Sequence, residues 1–195
     1  MKLWSFFGFT LSLTGFIYPN QAYWKWGGGW LEVLGFVDFA GAGVVHLCGA
    51  AAALSGVLLL GPRHGKYRSH ERIVPIPGCN LPLATIGTLI LWFGWFGFNG
   101  GSELRISSLS EANNVARIFV NTNMAAAAGL IAALITARVW FGKGDLTMAL
   151  NGALAGLVAI TADPVSPNAY MATVIGLLVG GIVVFSIVIL DRQLK

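Results

Sequence analysis

The chain has 195 residues, of which 56% are hydrophobic and only 10% charged, and its mean hydropathy is +0.74. Soluble domains usually carry about 25% charged residues, so an ordinary soluble domain is excluded, and no polar stretch is long enough to form one separately. The formal net charge of +4 does not point to nucleic acid, because Lys and Arg fall in short clusters between apolar runs, the arrangement that sets membrane topology.

Apolar runs of roughly 17–25 residues match a hydrocarbon core of about 30 Å. They predict an all-α, multi-pass membrane domain with about six helices, over 3–18, 38–60, 82–99, 115–137, 146–162 and 169–190. The first stretch, beginning Met1-Lys2, also resembles a secretory signal, but Pro19-Asn20-Gln21 follows where a small-x-small cleavage site would stand. Gly152/Gly156 and Gly176/Gly180 form small-xxx-small pairs, which let helix backbones approach closely. Cys48 in an apolar run and Cys79 in a basic loop fit neither a disulfide nor a metal-ligand spacing, so no metal or cofactor is expected.

Orientation follows from the loops. With Met1 cytoplasmic, the inner side holds Lys2, Arg63, Lys66, Arg68, Arg72, Arg138, Lys143, Arg192 and Lys195, nine basic residues. The outer side holds three, Lys25, Arg105 and Arg117. That asymmetry is the positive-inside pattern, carried mostly by the loop 61–81.

Ionisable residues inside the spans are nearly absent, which makes His46 informative. If the second span is helical from Asp38, His46 lies about 12 Å deeper along the axis and roughly 80° around it. That puts Asp38 at the outer mouth and His46 near mid-membrane, on different faces. An ionisable group at that depth marks a functional site by default, with a neutral His bridging helices as the alternative. For Asp38 the structural reading is stronger, because a carboxylate in a first helical turn satisfies free N–H groups and complements the dipole.

The third span ends Gly94-Trp95-Phe96-Gly97-Phe98-Asn99-Gly100-Gly101-Ser102, and Trp24, Trp26 and Trp30 cluster before the second span. Aromatic residues at a boundary read first as interfacial anchors, although an aromatic face can also hold a cation where water is excluded.

Taken in order, several tracts resemble the ammonium transporter family, in its bacterial, plant and fungal branch. They are Trp26-Gly-Gly-Gly, Asp38-Phe-Ala-Gly with Val-Val-His46, Leu60-Gly-Pro-Arg63, the tract from Gly87 to Ser102, Asn121-Thr122 opening an alanine-rich helix, and Asn151-Gly-Ala-Leu-Ala-Gly-Leu-Val-Ala-Ile-Thr161. Order and spacing agree along essentially the whole chain. The Rhesus branch fits less well around Asp38 and His46.

The resemblance implies an eleven-helix fold with an inverted repeat, a homotrimer, and one narrow pore per subunit in the cell (inner or plasma) membrane. It implies that 1–195 is one incomplete transmembrane domain matching family helices four to nine, without the other gate phenylalanine and the second pore histidine. By resemblance, His46 is the first pore histidine, and Trp26 and Ser102 belong to the outer vestibule that recruits ammonium. Phe98 is a pore gate, and Asp38 is structural beside the site. The family tract reads Gly-Thr where this chain has Ala42-Gly43, a departure expected to change packing more than chemistry.

The implied activity is transport and not enzymatic. A cation is costly to move through hydrocarbon, so ammonium would be bound outside, deprotonated, and passed as ammonia, with imidazoles donating and accepting. Ammonium, ammonia or methylammonium is the implied cargo, for nitrogen uptake. A cytoplasmic PII-type signalling protein is an implied partner at the inner face around 63–81. The alternatives are an ammonium sensor or receptor, disfavoured because the chain shows no signalling domain, and an inactive truncated fragment.

Overall fold

A computed structural model describes residues 2–68, 72–74, 76 and 78–193. Parts of the loop used for orientation (69–71, 75 and 77), together with Met1 and Lys195, lie outside the described residues.

All six expected spans are helical, with boundaries set by capping and turn chemistry rather than by hydropathy. Helix α1 runs from Leu3 as α-helix to Ser12, widens into a π turn over Leu13–Ile17, and continues as Tyr18–Trp26. It was expected to stop at Tyr18. Pro19 lacks an N–H and would press on the carbonyl four residues back; the wider turn just before it relieves that crowding. Asn20 Nδ2 also donates to the Phe16 carbonyl at 2.7 Å. A short helix α2, Trp30–Val33, follows.

Helix α3 spans Ala42–Leu60 and opens with a π turn over Ala42–Leu47. It therefore starts after Asp38, not at it. Helix α4 is Leu81–Gly101, with Asn80 Oδ1 accepting the Leu83 N–H at 2.9 Å and Pro82 in the first turn. Helix α5 is Leu109–Phe141 and exceeds the expected 115–137, because the cap lies outside the apolar run. Ser108 Oγ accepts the Glu111 N–H, and Glu111 Oε2 accepts the Ser108 N–H at 2.9 Å, a capping box. Asn121-Thr122 consequently sits inside this helix rather than opening it.

Helix α6, Leu146–Ile160, is capped by Asp145, and α7 spans Ala169–Gln193 behind the Asn168 cap. In the loop after α3, strands β1 (Tyr67–Arg68) and β2 (Arg72–Ile73) form a two-residue antiparallel pair, Tyr67 opposite Ile73. Lys66 Nζ reaches Asp191 Oδ1 at 2.6 Å, and the Tyr67 hydroxyl donates to the Asp191 carbonyl at 2.9 Å. Those contacts tie this loop to the end of α7.

Among the described residues, α3, α4, α5 and α7 are long and apolar enough to cross a membrane, and α6 is a shorter apolar helix. Packing centres on α5, which α6 and α7 approach from two sides. A Cβ on Gly156 or on Gly176 would strike the same carbonyl, that of Ala125, and one on Gly180 would strike the Gly129 carbonyl. Close approach of backbones, not side-chain bulk, holds these three helices together. Trp95 of α4 joins them through a buried cluster with Ala126 and Leu157.

Candidate functional site

The site begins with the loop before α3. Gly41 has φ +110, a conformation that favours glycine. It turns the chain so that four successive N–H groups converge on Asp38. Oδ1 accepts from Gly41 and Ala42 at 2.9 and 2.8 Å, and Oδ2 from Gly43 and Val44 at 2.9 and 2.7 Å. Asp38 is 2% exposed, so its charge is balanced by these donors and by the positive end of α3. Because Asp38 stands outside the helix, the expected 12 Å and 80° relation to His46 does not apply.

Within the π turn, the His46 and Val45 N–H groups share the Gly41 carbonyl at 3.0 and 2.9 Å. Gln21 Nε2 of α1 donates to the Val44 carbonyl. The His46 ring then lies on Trp95, with centroids 5.0 Å apart and planes 17° from parallel. Phe98 closes the group at 5.5 Å from His46 and 5.6 Å from Trp95. His46 Nε2 is buried and has no hydrogen-bond partner among the described residues. An unpaired buried polar atom costs about 1–3 kcal/mol, which marks this nitrogen as a place for a partner.

A polar network backs the stack. Trp95 Nε1 donates to Thr161 Oγ1 at 2.9 Å. The Thr161 hydroxyl lies 2.7 Å from the Leu157 carbonyl and 3.1 Å from Asn99 Oδ1. Asn99 Nδ2 donates to Thr122 Oγ1 at 3.0 Å. Thr161, Asn99 and Thr122 are all fully buried.

At the end of α1, Trp26 Nε1 donates to the Asp38 carbonyl at 3.0 Å while the residue remains 46% exposed. The Ser102 hydroxyl donates to the Phe98 carbonyl at 2.8 Å, leaving its oxygen lone pairs for other donors. Thus His46 and Phe98 share one aromatic cluster, Trp26 is linked to Asp38, and Ser102 is linked to Phe98. Among the described residues, no hydrogen bond or ring contact joins Trp26 to Ser102 or Phe98.

Comparison with known proteins decides the lineage. The profile described as Ammonium Transporter Family matches residues 1–195. The chain belongs to the ammonium transporter family. It is 45% identical over 195 residues to a protein named ammonium transporter Amt2 from Archaeoglobus fulgidus, covering 95% of this chain and 41% of that protein. Ammonium transporter Amt1 of Haloferax mediterranei is 38% identical over 191 residues, covering 90% and 37%. Among solved structures, Mep2 of Candida albicans is similar with a TM-score of 0.85 at 34% identity, covering 100% of this chain and 42% of that one. A structure titled Sensor Amt Protein is similar with a TM-score of 0.85 at 41% identity, covering 92% and 45%. The chain therefore spans about two fifths of the length of the curated relatives it matches.

As a member of the ammonium transporter family, the chain is a multi-pass membrane protein with part of that all-helical fold. Its relatives are named as transporters, not enzymes. In the sequence Trp95 reads as a boundary anchor, yet it is 9% exposed and faces His46. Phe96 stands edge-on to Phe119 at 5.4 Å. Thr161, Asn99 and Thr122 were available as a signal, since polar side chains inside apolar spans need partners. Gln21 gave no signal, because it was placed after the end of the first span.

Proposed function

We propose that the chain forms part of an ammonium transporter and that, within the full-length protein, it helps carry ammonium across the membrane with His46 as a pore group. The observation that supports this reading is the buried, unpartnered Nε2 of His46, held against Trp95 and Phe98 in the opening turn of the apolar helix α3. Aromatic faces attract a cation more strongly as water is excluded. An imidazole accepts or donates a hydrogen bond without adding a fixed charge.

Trp26 and Ser102 recruit ammonium at the outer vestibule, through the exposed indole face and the free lone pairs of the hydroxyl. Phe98, whose carbonyl accepts the Ser102 hydroxyl and whose ring lies against His46, gates passage between them. Past Phe98 the cargo travels as neutral ammonia, because an unpaired cation in a hydrocarbon-lined path is costly. Asp38 takes no direct part; its carboxylate is consumed by four backbone donors and shapes the turn that presents His46. The family context supports a homotrimer as the working assembly, and a PII-type protein as partner at the inner face.

Uptake of radiolabelled methylammonium by liposomes containing the full-length protein of which this chain is part tests this reading. Saturable uptake, suppressed by ammonium, is the expected result; uptake no faster than in empty liposomes contradicts it. A sensor reading is favoured by the neighbour titled Sensor Amt Protein. Ammonium binding without saturable uptake would support that reading instead.

A further inference from the structure

We infer that Thr161 is a positioning residue for the His46 imidazole, holding both sides of its surroundings from one point at the end of α6. This rests on the reading of His46 as the pore group.

Two separate connections meet at Thr161. Through its side chain, Thr161 Oγ1 accepts the indole N–H of Trp95 at 2.9 Å, which fixes the ring on which His46 is stacked. The one hydroxyl proton serves either the Leu157 carbonyl at 2.7 Å or Asn99 Oδ1 at 3.1 Å, and in both cases a lone pair is left for the indole N–H. Through the backbone, the Thr161 carbonyl accepts the Ala40 N–H at 3.1 Å, and the adjoining Ala162 carbonyl accepts the Phe39 N–H at 2.7 Å. Those two residues follow Asp38 directly and lead into the π turn that carries His46. One residue thereby sets the Trp95 wall and anchors the base of α3.

The hydroxyl, not the volume, is what the geometry uses. Valine would fill the same buried space but would offer no acceptor, and the indole N–H, itself buried, would be left unpaired. Regaining a partner requires the indole to turn, which takes the stacking face away from His46. Packing alone would require only the shape of the side chain, and valine would serve equally well.

The test uses the intact protein with isotope-labelled histidine, in which the indole imposes a ring-current shift on the His46 imidazole. Thr161→Val should abolish most of that shift and lower methylammonium uptake per assembled molecule about tenfold, and Thr161→Ser should restore both. An unchanged His46 resonance in assembled Thr161→Val overturns the inference, whatever the uptake. A changed resonance in Thr161→Val, in a protein whose wild type takes up no methylammonium, upholds the hold on His46 and rejects the transport reading instead. Should Thr161→Val fail to assemble, Thr161→Cys, with a weaker acceptor of similar size, is read the same way.

Discussion

His46 lies flat on Trp95, with ring centroids 5.0 Å apart and planes 17° from parallel, although the two residues belong to α3 and α4. A stacked ring constrains the imidazole plane without using either nitrogen. That explains how a histidine inside an apolar span can be fixed while Nε2 has no hydrogen-bond partner among the described residues. Orientation comes from the face of the ring, and hydrogen-bonding capacity is left for cargo or another group.

Asp38 should matter more for stability than for transport chemistry. Its two oxygens accept four backbone N–H groups, and hydrogen bonds to a charged group contribute about 1.5–3 kcal/mol each. Asp38→Ala leaves those donors in a buried place and should destabilise the protein by about 3 kcal/mol or more. Asp38→Asn should fall between, since an amide keeps one accepting oxygen. Thermal unfolding in detergent measures this; an Asp38→Ala midpoint equal to wild type would remove the capping account.

The three-helix packing predicts that glycines differ sharply. Gly156→Ala would drive a methyl group into the Ala125 backbone, which cannot move aside as a flexible side chain can. A loss of about 1–3 kcal/mol is expected from such overpacking. Gly87 on α4 has nothing within 4 Å of where its Cβ would be, so Gly87→Ala should be tolerated. Comparing yields and unfolding midpoints of the two variants checks the close approach; equal effects would contradict it.

The Ala42-Gly43 departure from the family tract has a local explanation. A Cβ on Gly43 would lie 3.1 Å from Phe36 Cζ and 3.2 Å from Asp38 Oδ2. Gly43→Thr should therefore cost about 1 kcal/mol by crowding. Adding Phe36→Ala should recover part of that loss, a coupling that a double-mutant cycle detects. Additive effects of the two changes would show that Phe36 is not what reserves this space for glycine.

Much of this was legible in the sequence for physical reasons. Six apolar runs are six helices because the bilayer sets their length and composition together. The helix ends depart from the apolar runs where local chemistry outweighs hydropathy. Ser108 and Glu111 extend α5 through polar residues, and the π turn before Pro19 carries α1 past its apolar stretch. The same gap hid the geometry around Asp38. Four residues of the expected helix, Asp38 to Gly41, form a capped loop because Gly41 adopts a positive φ, and the helix proper opens at Ala42 as a π turn. His46 stood out as an ionisable residue among apolar neighbours. Trp95 did not, since one-dimensional position cannot separate an interfacial indole from one turned inward to Thr161.

The orientation rests on charge distribution and is open to direct measurement. Lys66, beside the β1–β2 pair and bonded to Asp191, should face the cytoplasm, and Glu103, bonded to Asn114 Nδ2 at 2.8 Å, should face outward. A topology reporter inserted near each residue distinguishes the two sides. The reverse pattern would put Trp26 and Ser102 on the inner face and remove the recruiting vestibule.

The most direct measurement is methylammonium uptake per assembled molecule for His46→Ala and His46→Glu in the intact protein, with potassium as competing cation. With His46 as the pore group, His46→Ala should lose uptake by at least about tenfold, a change of about 1.4 kcal/mol, with assembly preserved. His46→Glu, which can add a negative charge to the path, should admit potassium. Unchanged uptake and selectivity per molecule in His46→Ala, with only the amount of assembled protein reduced, would show that His46 serves packing and that the pore assignment is wrong.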